Sequence, residues 1–141
     1  MSSFIHADYP VEKGDYTRAG EASTDIKRRL KQLGVSSDVM RRVAVASYEV
    51  ELNLVIHSWG GKLTLDVGTD GVVLVSEDVG PGIPDISMAM REGYSTASEE
   101  ARSLGFGAGM GLPNMKRNAD EFDIQSELGK GTRITMRFLL A

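Results

Sequence analysis

The chain has 141 residues, of which 41% are hydrophobic and 26% are charged, and these values are ordinary for one soluble globular domain. We therefore predict a single domain over residues 1–141. The net charge of −4 gives no electrostatic reason to expect nucleic acid or an anionic membrane as a partner. Cysteine is absent, which excludes disulfides, and no apolar run approaches the ~20 residues of a membrane span, so we expect a cytoplasmic protein.

The first part of the chain predicts one strand and two helices. Alternation over residues 4–9 indicates an edge strand. A helical pattern then begins near Arg18 and is expected to end at Gly34. The next helix, over residues 38–58, is apolar on more than one side, which indicates burial, and residues 36–38 supply its N-terminal cap.

The remainder predicts two hairpins and two short helices. The expected strands cover residues 62–67, 72–75, 122–126 and 133–138, and the expected helices cover residues 85–90 and 112–118. Antiparallel strands combined with helices predict an α+β fold. We expect a two-layer α/β sandwich in which helices cover one face of a mixed sheet.

Glu49 and Asn53 are four residues apart on the buried helix and should share one of its faces. A buried carboxylate is costly unless it is paired or used, and a carboxylate beside an amide oxygen suits Mg²⁺. The pair is therefore a candidate functional site, and the alternative is a solvated helix face. Glu51 is expected to point to the opposite side and to be solvated.

Asp78 follows an apolar strand and precedes the turn Gly80-Pro81-Gly82. A carboxylate can accept a hydrogen bond from the exocyclic amine of adenine, and glycines allow the backbone to approach the ring closely. The motif therefore predicts a site for a nucleotide base. An ordinary β-turn is the alternative, because aspartate, glycine and proline are common in turns.

Four glycines alternate directly before the last predicted helix: Gly105, Gly107, Gly109 and Gly111. A helix N-terminus offers free N–H groups and a positive dipole end, which favour phosphate. Residues 93–111 are long for a loop in a compact domain, and we interpret them as a lid over the phosphates. Lys116 and Arg117 could reach phosphate or form a solvated basic face. A flexible linker is the alternative for the glycines, and no P-loop motif occurs.

In order along the chain, these motifs resemble the four boxes of the GHKL ATPase superfamily. The boxes correspond to residues 49–53, 78–82, 105–112 and 129–132. A narrower resemblance, carried by residues 77–86, 93–96 and 109–113, is to the anti-sigma-factor serine/threonine kinases, and nearest to the stressosome switch kinases of the RsbT type. Residues 97–104 depart from that subgroup, because they are longer and more charged than expected.

The resemblance implies a role for each matching residue. Asp78 would bind adenine with the help of a water and Thr132, Asn53 would hold Mg²⁺, and Glu49 would orient or deprotonate the attacking hydroxyl. Phosphates would be wrapped by backbone N–H groups of the second glycine box. The remaining residues implied to bind nucleotide are Gly80, Gly82, Gly105, Gly107, Gly109, Gly111 and Leu112.

The implied function is an ATP-dependent serine/threonine kinase that phosphorylates a regulatory partner, expected to be a STAS-domain antagonist or another sigma-factor regulator. Phosphoryl transfer depends mainly on positioning and charge stabilisation, which a closing lid with Mg²⁺ could supply. Two alternatives remain open at this point. One is an ATP- or ADP-sensing module that sequesters or releases a regulator without transfer, and the other is a stand-alone histidine-kinase catalytic domain.

Overall fold

The computed structural model of the protein describes residues 3–91 and 111–140. Within these ranges the elements are β1 (Ser3–Val11), α1 (Glu21–Gln32), α2 (Ser37–His57), β2 (Gly61–Gly68), β3 (Gly71–Asp78), α3 (Ile86–Ala89), α4 (Gly111–Asn118), β4 (Glu121–Glu127) and β5 (Gly131–Leu139). A short 3-10 turn, Tyr16–Arg18, precedes α1. Of the helices in this part of the chain, none combines the length and the apolar character that crossing a bilayer requires.

The strands form one sheet with the order β1-β2-β3-β5-β4. The predicted α+β sandwich and the edge position of the first strand are confirmed. The sheet is not mixed, however, because every pairing among the described strands is antiparallel. The reason is that β4, which runs in the same direction as β3, lies at the edge, while β5 returns between them and pairs with both.

One face of the sheet carries the hydrophobic core. Alternate residues of β2, β3 and β5 are buried there against the helices, as expected for strands covered on one side. The central helix α2 contributes a fully buried stripe made of Val43, Ala46, Val50 and Leu54. A second apolar side of α2, made of Val45, Leu52 and Ile56, is only partly buried, although the sequence pattern indicated burial on more than one side. The helix is therefore a core element along its first stripe.

Caps at the helix ends explain where the helices begin. Ser36 Oγ accepts a hydrogen bond from the Val39 N–H at 3.3 Å, so α2 starts where the sequence predicts. Helix α1 starts later than predicted, because Gly20 adopts a φ of 101° and interrupts the helical backbone after Arg18. Gly34, with a φ of 76°, follows α1 in the left-handed conformation typical of a helix end.

Candidate active site

Helix α2 packs against α4, and Glu49 and Asn53 lie at this contact. Both side chains are partly buried. A Cβ atom added at Gly111, the first described residue of α4, would lie 3.3 Å from Glu49 Oε2 and 3.4 Å from Asn53 Oδ1. The two oxygens therefore converge beside the start of α4, as the spacing on the helix predicts. A glycine at this position lets the backbone of α4 lie close to both oxygens, because an added Cβ would be in tight contact with them.

Asn114 contacts Glu49 from the first turn of α4. Its Nδ2 donates a hydrogen bond to Glu49 Oε1 at 3.4 Å, and its Oδ1 accepts one from Arg117 Nη1 at 3.2 Å. Because an arginine can only donate, it fixes the amide with its nitrogen toward the glutamate. Burial raises the pKa of Glu49, and the hydrogen bond from Asn114 opposes that shift.

Asn114 was not among the candidates found by sequence. The available signal was its position three residues after Gly111, which places both on one side of a helix. Lys116 and Arg117 are exposed. Leu112 is buried in the core, only 7% exposed, so its side chain anchors α4 and only its backbone could serve a ligand.

The second cluster lies where β3 and β5 meet at one end of the sheet. Asp78 Oδ1 accepts a hydrogen bond from the Thr132 N–H at 2.9 Å. Side chains alternate between the two faces of each strand. By this alternation, Asp78 lies on the same helix-facing side as the buried residues of β3, and Thr132 lies on that side of β5. Burial raises the pKa of Asp78, and the bond from Thr132 opposes the shift. The two predicted base-reading residues are therefore neighbours in the structure.

The first glycine turn packs against the β4–β5 hairpin. Gly82 has a φ of 78°, and a Cβ there would lie 2.6 Å from the Glu127 carbonyl oxygen. The Gly80 N–H donates to the Lys130 carbonyl at 3.0 Å. The close approach at Gly82 explains why a glycine is needed there, because a larger residue would push the turn away from the hairpin. The contact holds the backbone beside Asp78 in place.

The structure contradicts the prediction that Glu51 is solvated. The side chain is 3% exposed rather than solvated. Its Oε2 accepts a hydrogen bond from the Ala22 N–H and its Oε1 accepts one from the Ser23 N–H, each at 3.1 Å. These are first-turn groups of α1, and Gly20 before them has no side-chain oxygen to cap them. The carboxylate of α2 therefore caps α1, which packs against the side of α2 that was expected to face solvent.

The remaining predicted phosphate-binding glycines, Gly105, Gly107 and Gly109, lie outside the described residues, as does the predicted lid sequence 97–104. Of the second glycine box, the structure places Gly111 and Leu112. The roles inferred for all these residues stay predictions.

Comparison with known proteins identifies the family. The family model described as histidine kinase-, DNA gyrase B-, and HSP90-like ATPase matches residues 41–141. This range contains Glu49, Asn53, Asp78, Gly111 and Thr132. It therefore includes both clusters described above.

Similar proteins of known name indicate which members of this family the chain resembles. The chain is 36% identical over 108 residues to the serine/threonine-protein kinase RsbT of Bacillus subtilis, which covers 74% of this chain and 75% of that protein. It is 31% identical over 121 residues to an anti-sigma F factor of Clostridium kluyveri, covering 82% of each. An anti-sigma F factor of Geobacillus stearothermophilus is 33% identical over 112 residues, covering 75% of this chain and 73% of the relative.

The relationship to switch kinases and anti-sigma factors that the motifs suggested is thereby confirmed. Glu49 and Asn53 beside Gly111, and Asp78 beside Thr132, lie in the part of the chain that the family model matches. The chain belongs to the histidine kinase-, DNA gyrase B-, and HSP90-like ATPase family, the GHKL superfamily of ATPases.

Proposed function

We propose that this protein is an ATP-dependent kinase that transfers the γ-phosphoryl group of ATP to a serine or threonine of a regulatory protein. The observation that carries the proposal is the convergence of Glu49 Oε2 and Asn53 Oδ1 beside Gly111. A carboxylate and an amide oxygen side by side next to a helix start suit a reacting hydroxyl and a phosphate tail. The identity to the serine/threonine-protein kinase RsbT supports the same reading.

The base of ATP would be bound at the other cluster. Asp78 accepts the exocyclic amine of adenine, Thr132 contributes its hydroxyl, and Gly80 and Gly82 keep the backbone close to the ring plane. In support, the Asp78 carboxylate is partly buried, and the Thr132 N–H bonds only one of its oxygens. The phosphates would then extend along α2 toward Gly111 and the glycines Gly105, Gly107 and Gly109.

The oxygens near Gly111 fit Mg²⁺. This ion takes one or two protein oxygens and completes its shell with phosphate and water, and Asn53 Oδ1 is the protein ligand we propose. Among residues 3–91 and 111–140, no group of three or more histidine or acidic side chains could hold a metal by itself, so the ion would be shared with the nucleotide. The Mg²⁺ ion would neutralise charge on the phosphate oxygens.

Glu49 would act on the attacking hydroxyl. Its Oε1 is held by Asn114, which leaves Oε2 on the Gly111 side to orient the hydroxyl and accept its proton. Burial of the carboxyl raises its pKa and so makes it a better proton acceptor than a solvated glutamate.

The partner would be a protein of sigma-factor control, and we propose a STAS-domain antagonist. The link to sigma-factor control is supported by relatives named anti-sigma F factor, and the STAS-domain antagonist follows from the family resemblance described in the sequence analysis. The proposal includes a cytoplasmic location, because such a partner works where transcription takes place.

The experiment is transfer of radiolabelled phosphate from ATP to STAS-domain proteins encoded near this gene. We expect a product with acid-stable phosphate on serine or threonine. Glu49→Ala should slow transfer by about 100-fold or more, because removal of a positioned base has effects of this order. Glu12→Ala, at an exposed carboxylate outside both clusters, serves as the control. If Glu49→Ala transfers phosphate as fast as the wild type, Glu49 is not the base.

A second candidate is an ATP- or ADP-sensing module that holds a regulator without phosphorylating it, and it is favoured by the relatives named anti-sigma F factor. Partner binding that depends on nucleotide and is lost in Asp78→Asn, with no phosphorylated product, would support it. Acid-labile phosphate on the partner would instead indicate a histidine-kinase catalytic domain, the third possibility.

A further inference from the structure

One face of α2 carries three polar side chains that meet the two ends of α4. Arg42, Glu49 and Asn53 follow one another at intervals of seven and four residues, so they share one side of the helix. Glu49 and Asn53 lie at the start of α4, beside Gly111. Arg42 lies two turns earlier on α2, where it contacts Asn118 at the other end of α4. Arg42 therefore addresses the same helix as the two proposed reactive side chains.

The Arg42 guanidinium joins three segments of the chain. Its Nη1 donates to the carbonyl oxygen of Asn118, the last residue of α4, at 3.0 Å and to Asp120 Oδ2 at 3.4 Å. Its Nε donates to Asp38 Oδ2, in the first turn of α2, at 3.2 Å. The Arg42 side chain is only 21% exposed, whereas that of Arg41 is 66% exposed and, within residues 3–91 and 111–140, bonds Asp38 alone. Of these two neighbouring arginines, Arg42 is the one that fixes α4.

Asp120, which accepts from Arg42, is itself attached to the sheet. Its Oδ2 also accepts a hydrogen bond from the Leu139 N–H at 2.7 Å, and its own N–H donates to the Arg137 carbonyl oxygen at 2.8 Å. A cation that bonds the last carbonyls of a helix also interacts favourably with the helix dipole. The C-terminal end of α4 is therefore held on α2 and on the end of β5 at the same point.

Fixing one end of α4 also affects the other end, because the helix is short and stiff. Its eight residues extend about 12 Å, so a slide or tilt at Asn118 also displaces Gly111. The apolar contacts of α4 with the core are non-directional and do not by themselves fix its position along α2. The hydrogen bond from Asn114 to Glu49 is 3.4 Å long and adds only a weak restraint. The well-formed bond from Arg42 is thus the stronger directional restraint.

We propose that Arg42 is a positioning residue for phosphoryl transfer, which fixes the C-terminal end of α4 on α2 and thereby sets the place of Gly111 relative to Glu49 and Asn53. The inference rests on the proposed kinase function. Phosphoryl transfer depends mainly on alignment of the reacting groups, so a small displacement of α4 slows it. Arginine suits this role better than lysine, because its planar fork bonds several acceptors at once.

The first test measures the rate of a single turnover of phosphate transfer to the STAS-domain protein that the wild type phosphorylates, at saturating ATP and partner. Rates are expressed per nucleotide-binding site counted by titration calorimetry, so that unfolded protein does not contribute. We expect Arg42→Met to slow transfer by about five- to fiftyfold. Arg41→Met removes the same charge and a bond to the same Asp38, and should change the rate by less than about twofold.

The second test measures the position of α4 without any substrate. The chain has no cysteine, so Tyr48→Cys on α2 and Lys116→Cys on α4, both at exposed positions, provide a unique pair of spin labels. Arg42→Met should shift or broaden the distance distribution between the labels, and Arg41→Met should leave it unchanged. Arg42→Lys should give a smaller change in both tests, because one ammonium group cannot reproduce the fork of bonds.

Two results would overturn the inference. One is a distance distribution that is the same in the wild type and in Arg42→Met. The other is a displaced α4 with an unchanged transfer rate per nucleotide-binding site. If Arg42→Met does not fold, the same two results for Arg42→Lys decide the question. A wild type that transfers no phosphate to any STAS-domain protein overturns the proposed function instead, and the distance measurement still decides whether Arg42 fixes α4.

Discussion

Two glutamates on α2, only two residues apart, have opposite environments. Glu51 is fully enclosed, and its two oxygens accept hydrogen bonds from backbone N–H groups at the start of α1. Glu49 is partly buried, has one long hydrogen bond from Asn114, and keeps its second oxygen beside Gly111. The residue type is the same, so the difference comes from what packs against each side of the helix.

The comparison separates a structural carboxylate from the one that we propose to be reactive. Glu51 has both oxygens bonded to the chain and nothing left to offer a ligand. Among residues 3–91 and 111–140, Glu49 accepts one hydrogen bond, from Asn114, and burial raises its pKa, two properties that favour proton transfer. Satisfied hydrogen bonding therefore separates the two roles better than burial does.

The largest expected difference between the two residues is in folding stability. Glu51→Ala leaves the N–H groups of Ala22 and Ser23 buried without acceptors, and at ~1–3 kcal/mol for each such group the free energy of unfolding should fall by about 2–6 kcal/mol. Glu49→Ala should change it by less than about 1 kcal/mol. Urea unfolding of both variants measures this. Equal losses would mean that the cap on α1 is not what Glu51 contributes.

A smaller effect is expected on the pH dependence of phosphoryl transfer, which follows the pKa of Glu49. Asn114→Leu removes the hydrogen bond that opposes the raised pKa of Glu49, so that pKa should rise further. Since the base must be deprotonated, the acidic limb of the phosphoryl-transfer rate should move to higher pH. Asn118→Ala, which loses only a bond to the Asn114 backbone carbonyl, is the matched control. If the acidic limb of the pH–rate profile moves equally in both variants, the shift comes from a change in helix α4 and not from the hydrogen bond between Asn114 and Glu49.

The smallest expected effect is on how stability varies with pH. Because the pKa of Glu49 is raised in the folded state, its contribution is present below the pKa of the unfolded chain and is lost as pH rises through the folded value. The wild type should therefore lose stability relative to Glu49→Gln between strongly acidic and neutral pH. Parallel unfolding curves for the two proteins across this range would contradict the environment described for Glu49.

Local patterns in the sequence were sufficient to predict most elements and the two clusters. The four-residue spacing on α2 brings Glu49 and Asn53 together, and the motif order led to the family that the comparison confirms. The start of α2 at Ser36 and the edge strand were also predictable, because capping and alternation act over a few residues.

What sequence could not provide depends on contacts between distant segments. Helical geometry correctly turns Glu51 away from Glu49, but only the packing of α1 determines that the other side is covered. The contact between the Ser126 and Thr132 hydroxyls requires the register of β4 with β5, which places the two residues opposite each other. The antiparallel sheet follows from β5 lying between β3 and β4, a choice of strand order that no single hairpin reveals.

The strand order has a consequence for synthesis of the protein. Asp78 ends β3, but its partner Thr132 stands at the start of β5, which is made last of the five strands and inserts beside β3. A ribosome-bound chain that stops short of β5 has its core helices and its first hairpin but only half of the proposed purine site. If Asp78 and Thr132 bind the base as we propose, nucleotide capture waits until this strand has left the exit tunnel, and an emerging chain gains no stability from ATP before then.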